Sequence, residues 1–68
     1  MKVKTLLNKL YLKEYQTIRV LDDNADYFIE TANKKEIIDE CGRSSVANFE
    51  YSKFDDCFII HIGTLRTN

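Results

Sequence analysis

The segment Cys57–Ile62 restricts the fold of this chain more than any other. Apart from His61 it is apolar and rich in β-branched isoleucine, and it follows the turn-like pair Asp55 and Asp56. A short apolar, β-branched run after a turn signal is typical of a buried central strand. The sequence therefore predicts a sheet whose core lies around this segment.

The first half of the chain predicts a helix followed by a hairpin. Apolar residues recur at helical spacing over residues 3–12, which is the stripe of an amphipathic helix: Val3, Leu6, Leu7, Leu10 and Tyr11. A β-branched run at 17–21 and a second run at 26–31 flank short polar residues that favour a turn. These two runs are expected to pair as an antiparallel hairpin.

The second half predicts another helix and two more strands. Asn33 with Glu36 three residues later has the form of a capping box, and Gly42 suits the end of the helix. Residues 46–52 alternate, with Ala47, Phe49 and Tyr51 on one face. We expect one α+β domain spanning 1–68, of order αββαββ, with a four-stranded, mostly antiparallel sheet packed with two helices.

The placement of the helices decides the character of the second sheet face. If Phe58, Ile60 and Ile62 face the helices, then Cys57, Ile59 and His61 line the opposite side. Were both helices on one face, Ile59, joined by Phe28 or Tyr27, would leave an apolar patch open to water, which is typical of a contact site. One helix on each face is the alternative, and the pattern leaves both open.

Composition narrows the class of protein. At 68 residues the chain is one small domain, whose marginal core favours a stabilising partner or homodimer. The net charge of −1 gives no general attraction to nucleic acid or to a membrane surface, and no apolar stretch reaches membrane-spanning length. The N-terminal apolar run is broken by lysines, unlike a signal peptide, so we expect a cytoplasmic protein with Cys41 and Cys57 as free thiols. A bridge between them stays open if their Cα atoms lie within about 7 Å.

Catalytic and metal-binding signatures are missing from the sequence. His61 is the single histidine, and Cys57 lies about 13 Å from it along the same strand, beyond the reach of a nucleophilic pair. The acidic stretch 22–26 lacks the glycine and terminal glutamate of a calcium loop. We therefore expect no enzyme activity, no metal and no cofactor.

Two sets of residues are candidates for binding. For a protein partner they are acidic turn residues and exposed aromatics: Asp22, Asp23, Asp26, Asp55, Asp56, Tyr27 and Tyr51. If both turns lay at one sheet edge, their carboxylates together would imitate nucleic-acid phosphates. For nucleic acid, the alternative, they are the lysines of the first helix: Lys2, Lys4, Lys9 and Lys13. A homodimeric structural subunit is the third hypothesis.

The order of these patterns resembles small proteins encoded by phages and prophages of Gram-positive bacteria. The resemblance rests on the opening at 1–7, the hairpin, the short helix at 35–40, the segment 45–49 and the paired apolar ending at 58–62. It implies a small cytoplasmic protein of an infected or lysogenic bacterial cell. Many such proteins bind and block a host protein, including CRISPR effectors and other defence enzymes, so the resemblance implies an inhibitor that acts by protein–protein binding.

Overall fold

The computed structural model of the chain describes residues 1–13, 15–22 and 27–63. The elements follow the expected order αββαββ, and their bounds are α1 Val3–Lys9, β1 Thr17–Asp22, β2 Tyr27–Thr31, α2 Lys34–Cys41, β3 Val46–Ser52 and β4 Cys57–Ile62. The α+β class predicted from the sequence is thereby confirmed.

The sheet is mixed, with strand order β2-β1-β4-β3. Its two outer pairings, β1 with β2 and β3 with β4, are antiparallel hairpins. The central pairing of β1 with β4 is parallel and sets Val20 beside Ile60. β4 is thus an inner strand, as its apolar run predicts, and each of its residues except His61 is buried.

Both helices pack on the same face of the sheet. α1 contacts α2, and α2 lies over β1 and β2. Side chains from both helices form one buried cluster with those of β1 and β4: Val3, Leu6, Leu7, Ile18, Val20, Ile37, Cys41, Phe58, Ile60 and Ile62. This settles the placement that the sequence left open, because the other sheet face carries no helix among the described residues.

The first helix is shorter than the apolar stripe predicts. It ends at Lys9, since Leu10 has extended backbone angles of φ −86° and ψ 138°. Leu10 still packs against the core, whereas Tyr11 is fully exposed to solvent. The prediction of a helix to residue 12 with Tyr11 on its buried stripe was therefore wrong.

Charged side chains cover Ile59 on the open sheet face. The strand register places Arg19 and Glu50 on either side of Ile59. Arg19 Nε donates to Glu30 Oε1 at 2.6 Å, and its Nη1 lies 3.8 Å from Asp55 Oδ2. Long side chains bury their aliphatic stems while their charged ends stay in water. Ile59 consequently retains only 8% exposure, so the apolar surface that stays open on this face is that of Phe28, which is 59% exposed beside Leu21.

The two cysteines are buried free thiols, as expected. Cys41 belongs to the cluster beneath the helices, whereas Cys57 follows the alternation of β4 onto the open face with Ile59. Because the sheet separates them, they do not form a bridge. Within the described ranges, no helix is long and apolar enough to span a bilayer.

Candidate functional site

The turn between β3 and β4 is fixed by contacts with the connection between α1 and β1. Asp56 takes the left-handed conformation, with φ 49°. Its carboxylate accepts hydrogen bonds from Lys13 Nζ and from the Tyr51 hydroxyl. Its backbone carbonyl accepts from Gln16 Nε2 at 2.9 Å, and Gln16 is itself buried. Asp56 therefore joins two segments that lie 40 residues apart in the sequence.

Charge pairing at this turn determines the protonation of its groups. The hydrogen bond from Lys13, followed by that from Tyr51, lowers the pKa of Asp56 below its ordinary value. In return, the hydrogen bond to Asp56 raises the pKa of both Tyr51 and Lys13. Asp55 lies opposite Arg19, so both carboxylates of the turn already face cations of the chain itself. This leaves little unpaired negative field for imitating nucleic-acid phosphates.

Of the acidic residues predicted for partner binding, those that the structure describes do not assemble into one cluster. Because β1 runs parallel to β4, Asp22 at the end of β1 and Asp55 before the start of β4 lie at opposite ends of the sheet, roughly 20 Å apart. Asp22 is also buried, with 2% exposure, and so offers no contact surface. Asp23 and Asp26 lie outside the described residues. The described members, Asp22 on one side and Asp55 and Asp56 on the other, therefore do not meet at one end of the sheet.

Tyr27 does not lie where an exposed contact residue is expected. Its pairing with Asp22 directs it to the helix side of β2, where it packs half-buried against the core cluster. Its hydroxyl is buried beside the Cys41 thiol, and burial raises the pKa of Tyr27 to about 12. The prediction of Tyr27 as an exposed aromatic was wrong.

Tyr51 is the predicted aromatic that the structure does place at the surface, and it has two aromatic companions. Phe49 and Tyr51 lie on the helix side of the edge strand β3, with 47% and 51% of their surfaces exposed, and Phe54 is fully exposed in the turn that follows. We call Phe49, Tyr51 and Phe54 the aromatic edge. α2 lies over β1 and β2, whereas β3 is the edge strand on the far side of β4. The sequence placed Phe49 and Tyr51 on one face of the strand, as observed, but strand alternation does not show where the helices end and so did not single out Phe49 as exposed.

Two contacts hold the rings of the aromatic edge in place. The Phe49 ring lies 5.7 Å from that of Phe58, centroid to centroid, at a tilt of 32°. The Tyr51 hydroxyl is held by Asp56. Side chains that are already ordered lose less conformational entropy when a partner binds. Phe49 and Tyr51 are therefore suited to act as rigid aromatic anchors.

The backbone of β3 is partly protected against pairing with another strand. The Phe49 N–H donates to the side-chain oxygen of Asn48 at 2.8 Å. The register also shifts between Val46 and Asn48, which leaves Ala47 as an extra residue in the strand. Bulges and occupied edge amides are devices that oppose strand addition. Contact at this edge is thus favoured through side chains rather than through the strand backbone.

The lysines predicted for nucleic-acid binding separate into different surfaces. Lys2 and Lys4 line a cleft of about 500 Å³ between the start of α1 and the end of α2, together with Arg43. Lys9 is exposed at the end of α1 and does not line this cleft, and Lys13 is paired with Asp56. The structure therefore does not bring the four predicted lysines together; it places two of them in a cleft with Arg43, a residue near the second helix.

The described residues hold no cluster of three or more side chains able to bind a metal ion. His61 Nε2 lies 3.8 Å from Glu50 Oε1 across the β3–β4 pair, on the open face. Comparison of the chain with protein-family models, with curated proteins and with solved structures gives no match.

Proposed function

We propose that this protein acts by binding another protein through the aromatic edge. The observation that carries the proposal is that three aromatic side chains within six consecutive residues lie exposed, two on the edge strand β3 and one in the turn that follows it. Full burial of an exposed Phe-sized side chain is worth about 1.5–3 kcal/mol. A partner that covers Phe54 would gain up to this free energy, and about half of it at each of the half-exposed Phe49 and Tyr51. Aromatic anchors are common hot spots of interfaces.

The more specific version of this proposal is inhibition of a host defence or nucleic-acid enzyme, such as a CRISPR effector, by a phage-type protein. It is supported by the resemblance of the sequence pattern to small phage and prophage proteins of Gram-positive bacteria. In this version, the protein works inside the bacterial cell and occupies a surface of its target without chemistry of its own. The aromatic edge supports the binding step and does not select the target.

The test uses affinity capture from a Gram-positive bacterial lysate, followed by reconstitution with the purified partner. The variants are Phe54→Ser and Tyr51→Arg, with Tyr11→Ser as the matched control, since Tyr11 is an equally exposed aromatic outside this surface. The wild type and the control should bind one protein in stoichiometric amount, and the two variants should lose at least tenfold in affinity. Equal affinity of all four proteins would refute the assignment of this surface.

Self-association is a separate outcome of the same experiment. If capture yields only further copies of the chain, sedimentation equilibrium of the wild type and of Tyr51→Arg decides whether the aromatic edge is the dimer contact. A wild-type dimer that becomes a monomer on substitution would replace the inhibitor hypothesis with a homodimeric structural role.

A further inference from the structure

We infer that the cleft between α1 and α2 binds the phosphate backbone of nucleic acid, with Lys2, Lys4 and Arg43 as its cationic side chains. This surface is distinct from the aromatic edge, and the inference does not depend on the proposed protein partner. The walls of the cleft are completed by Thr5, Ile38 and Gly42.

The cleft is locally positive. Within the described ranges, the ion pairs of the chain use Lys13, Arg19 and His61, and none involves the charged ends of the three cleft residues. Asp39, one helical turn before Arg43 on α2, is a nearby carboxylate but does not line the cleft. A net charge near zero over the whole chain therefore conceals a local group of three cations that face solvent together.

The cleft is also held by the backbone. The Val3 N–H donates to the Ser44 carbonyl and the Lys4 N–H to the Gly42 carbonyl, each at 2.9 Å. Val3 is completely buried, so the start of α1 is fixed against the end of α2. The side chains of Lys2 and Lys4 thus leave a rigid base on the same side as Arg43, and fixed cations bind an anion at lower entropic cost.

The same hydrogen bonds indicate the kind of anion. Sites that enclose a single phosphate do so with free backbone N–H groups. Here the N–H groups of Val3 and Lys4 are already used by protein carbonyls. What remains is an open cleft with three charged side-chain ends, which suits successive phosphates along a polymer rather than one enclosed phosphate. Such contacts carry no sequence information.

The magnitude follows from counterion release. Three phosphate contacts on duplex DNA predict a slope of about −2.7 for log K against log salt concentration, or about a 40-fold loss of affinity between 50 and 200 mM salt. Loss of one contact should reduce the slope to about −1.8 and weaken binding about 15-fold at 50 mM salt.

The experiment is fluorescence anisotropy with a labelled 20-base-pair duplex in 50–200 mM NaCl. Lys2→Gln, Lys4→Gln and Arg43→Gln should each show the reduced slope. Lys9→Gln is the matched control, because it removes the same charge from α1 outside the cleft and should keep the wild-type slope. A second duplex of unrelated sequence should bind equally well, and thermal melts should show that all four variants fold.

Three results would overturn the inference. One is no binding of the wild type at 50 mM salt. Another is an equal loss of slope in Lys9→Gln, which would mean that charge acts diffusely and the cleft has no role. The third is binding of free tripolyphosphate that depends on the three cleft residues while duplex and single-stranded DNA do not bind, which would assign the cleft to a small phosphate compound.

Discussion

Substitution of Gly42 by alanine should destabilise the fold, although helix propensity predicts the opposite. Gly42 has φ −58°, a right-handed conformation that alanine adopts without strain. An alanine there would restrict the unfolded chain and, on that ground alone, stabilise the protein by about 0.4–1 kcal/mol. However, a Cβ at this position would lie 2.5 Å from the Ile38 carbonyl oxygen. That oxygen belongs to the backbone and accepts the Gly42 N–H at 2.9 Å, so it cannot move aside alone.

Crowding of this kind costs about 1–3 kcal/mol, so the net loss of stability, at the middle of these ranges, should be about 1.3 kcal/mol. For a domain of this size that is a fall in Tm of about 5–10 °C. Thermal and urea denaturation followed by circular dichroism would measure it. The Lys4 amide should also exchange faster with solvent, because its hydrogen bond ends on the Gly42 carbonyl.

Gly63→Ala is the matched control, since a Cβ there meets no atom within 4 Å. It should change the free energy of unfolding by less than about 0.5 kcal/mol. A Tm of Gly42→Ala equal to or above that of the wild type would refute the reasoning, because it would show that the close approach relaxes at no cost.

Three further predictions concern the core, the thiols and the fixed turn. Ile60→Ala truncates a completely buried side chain of the inner strand and should lower the free energy of unfolding by about 2–5 kcal/mol. That is a large part of the roughly 3–10 kcal/mol of total stability expected for a domain of this length, and the shift of the urea midpoint would measure it. Cys41 and Cys57 are buried, and burial raises the pKa of both thiols, so a thiol reagent at pH 8 should label the native protein slowly and the urea-unfolded protein at once, as read by mass spectrometry. Because the pKa of Asp56 is lowered, its ionised form stabilises the fold above the ordinary aspartate range, and this contribution is lost as the pH falls through the lowered pKa. Tm measured from pH 7 to pH 2 should therefore drop less steeply below about pH 4 in Asp56→Asn than in the wild type. Parallel curves for the two proteins would contradict this role.

The sequence predicts local structure well wherever periodicity and capping carry the information. Asn33 caps α2 as expected, its side chain accepting from the Lys35 N–H at 3.1 Å. The order of elements and the inner position of β4 follow from the same kind of signal. The parallel pairing of β1 with β4 is different, because residues far apart in the chain form it and no local pattern encodes strand order.

The candidate surfaces were less predictable because exposure depends on what lies above each strand. The sequence left Ile59 either covered or exposed, and it placed Phe49 on one strand face without showing what covers that face. Ile59 is covered because Arg19 and Glu50 flank it across the sheet, whereas Phe49 stays half exposed on the edge strand, away from β1 and β2 over which α2 lies. The cationic cleft depends likewise on the docking of α1 against the end of α2, which brings Arg43 beside Lys2 and Lys4.

The parallel pair at the centre of the sheet also governs the order of events during folding. β1 pairs on one side with β2, the next strand in the sequence. Its other side pairs with β4, and the contact between Gln16 and Asp56 beside this pair joins residues 40 positions apart. Closing so long a loop lowers the entropy of the chain before the free energy of the new contacts can compensate for it. Folds dominated by such long-range contacts therefore form slowly. During synthesis on the ribosome, β1 would emerge before β4, and the backbone edge that β4 later pairs with would stay unpaired in the meantime. This interval is when the chain is most exposed to aggregation and most dependent on chaperones.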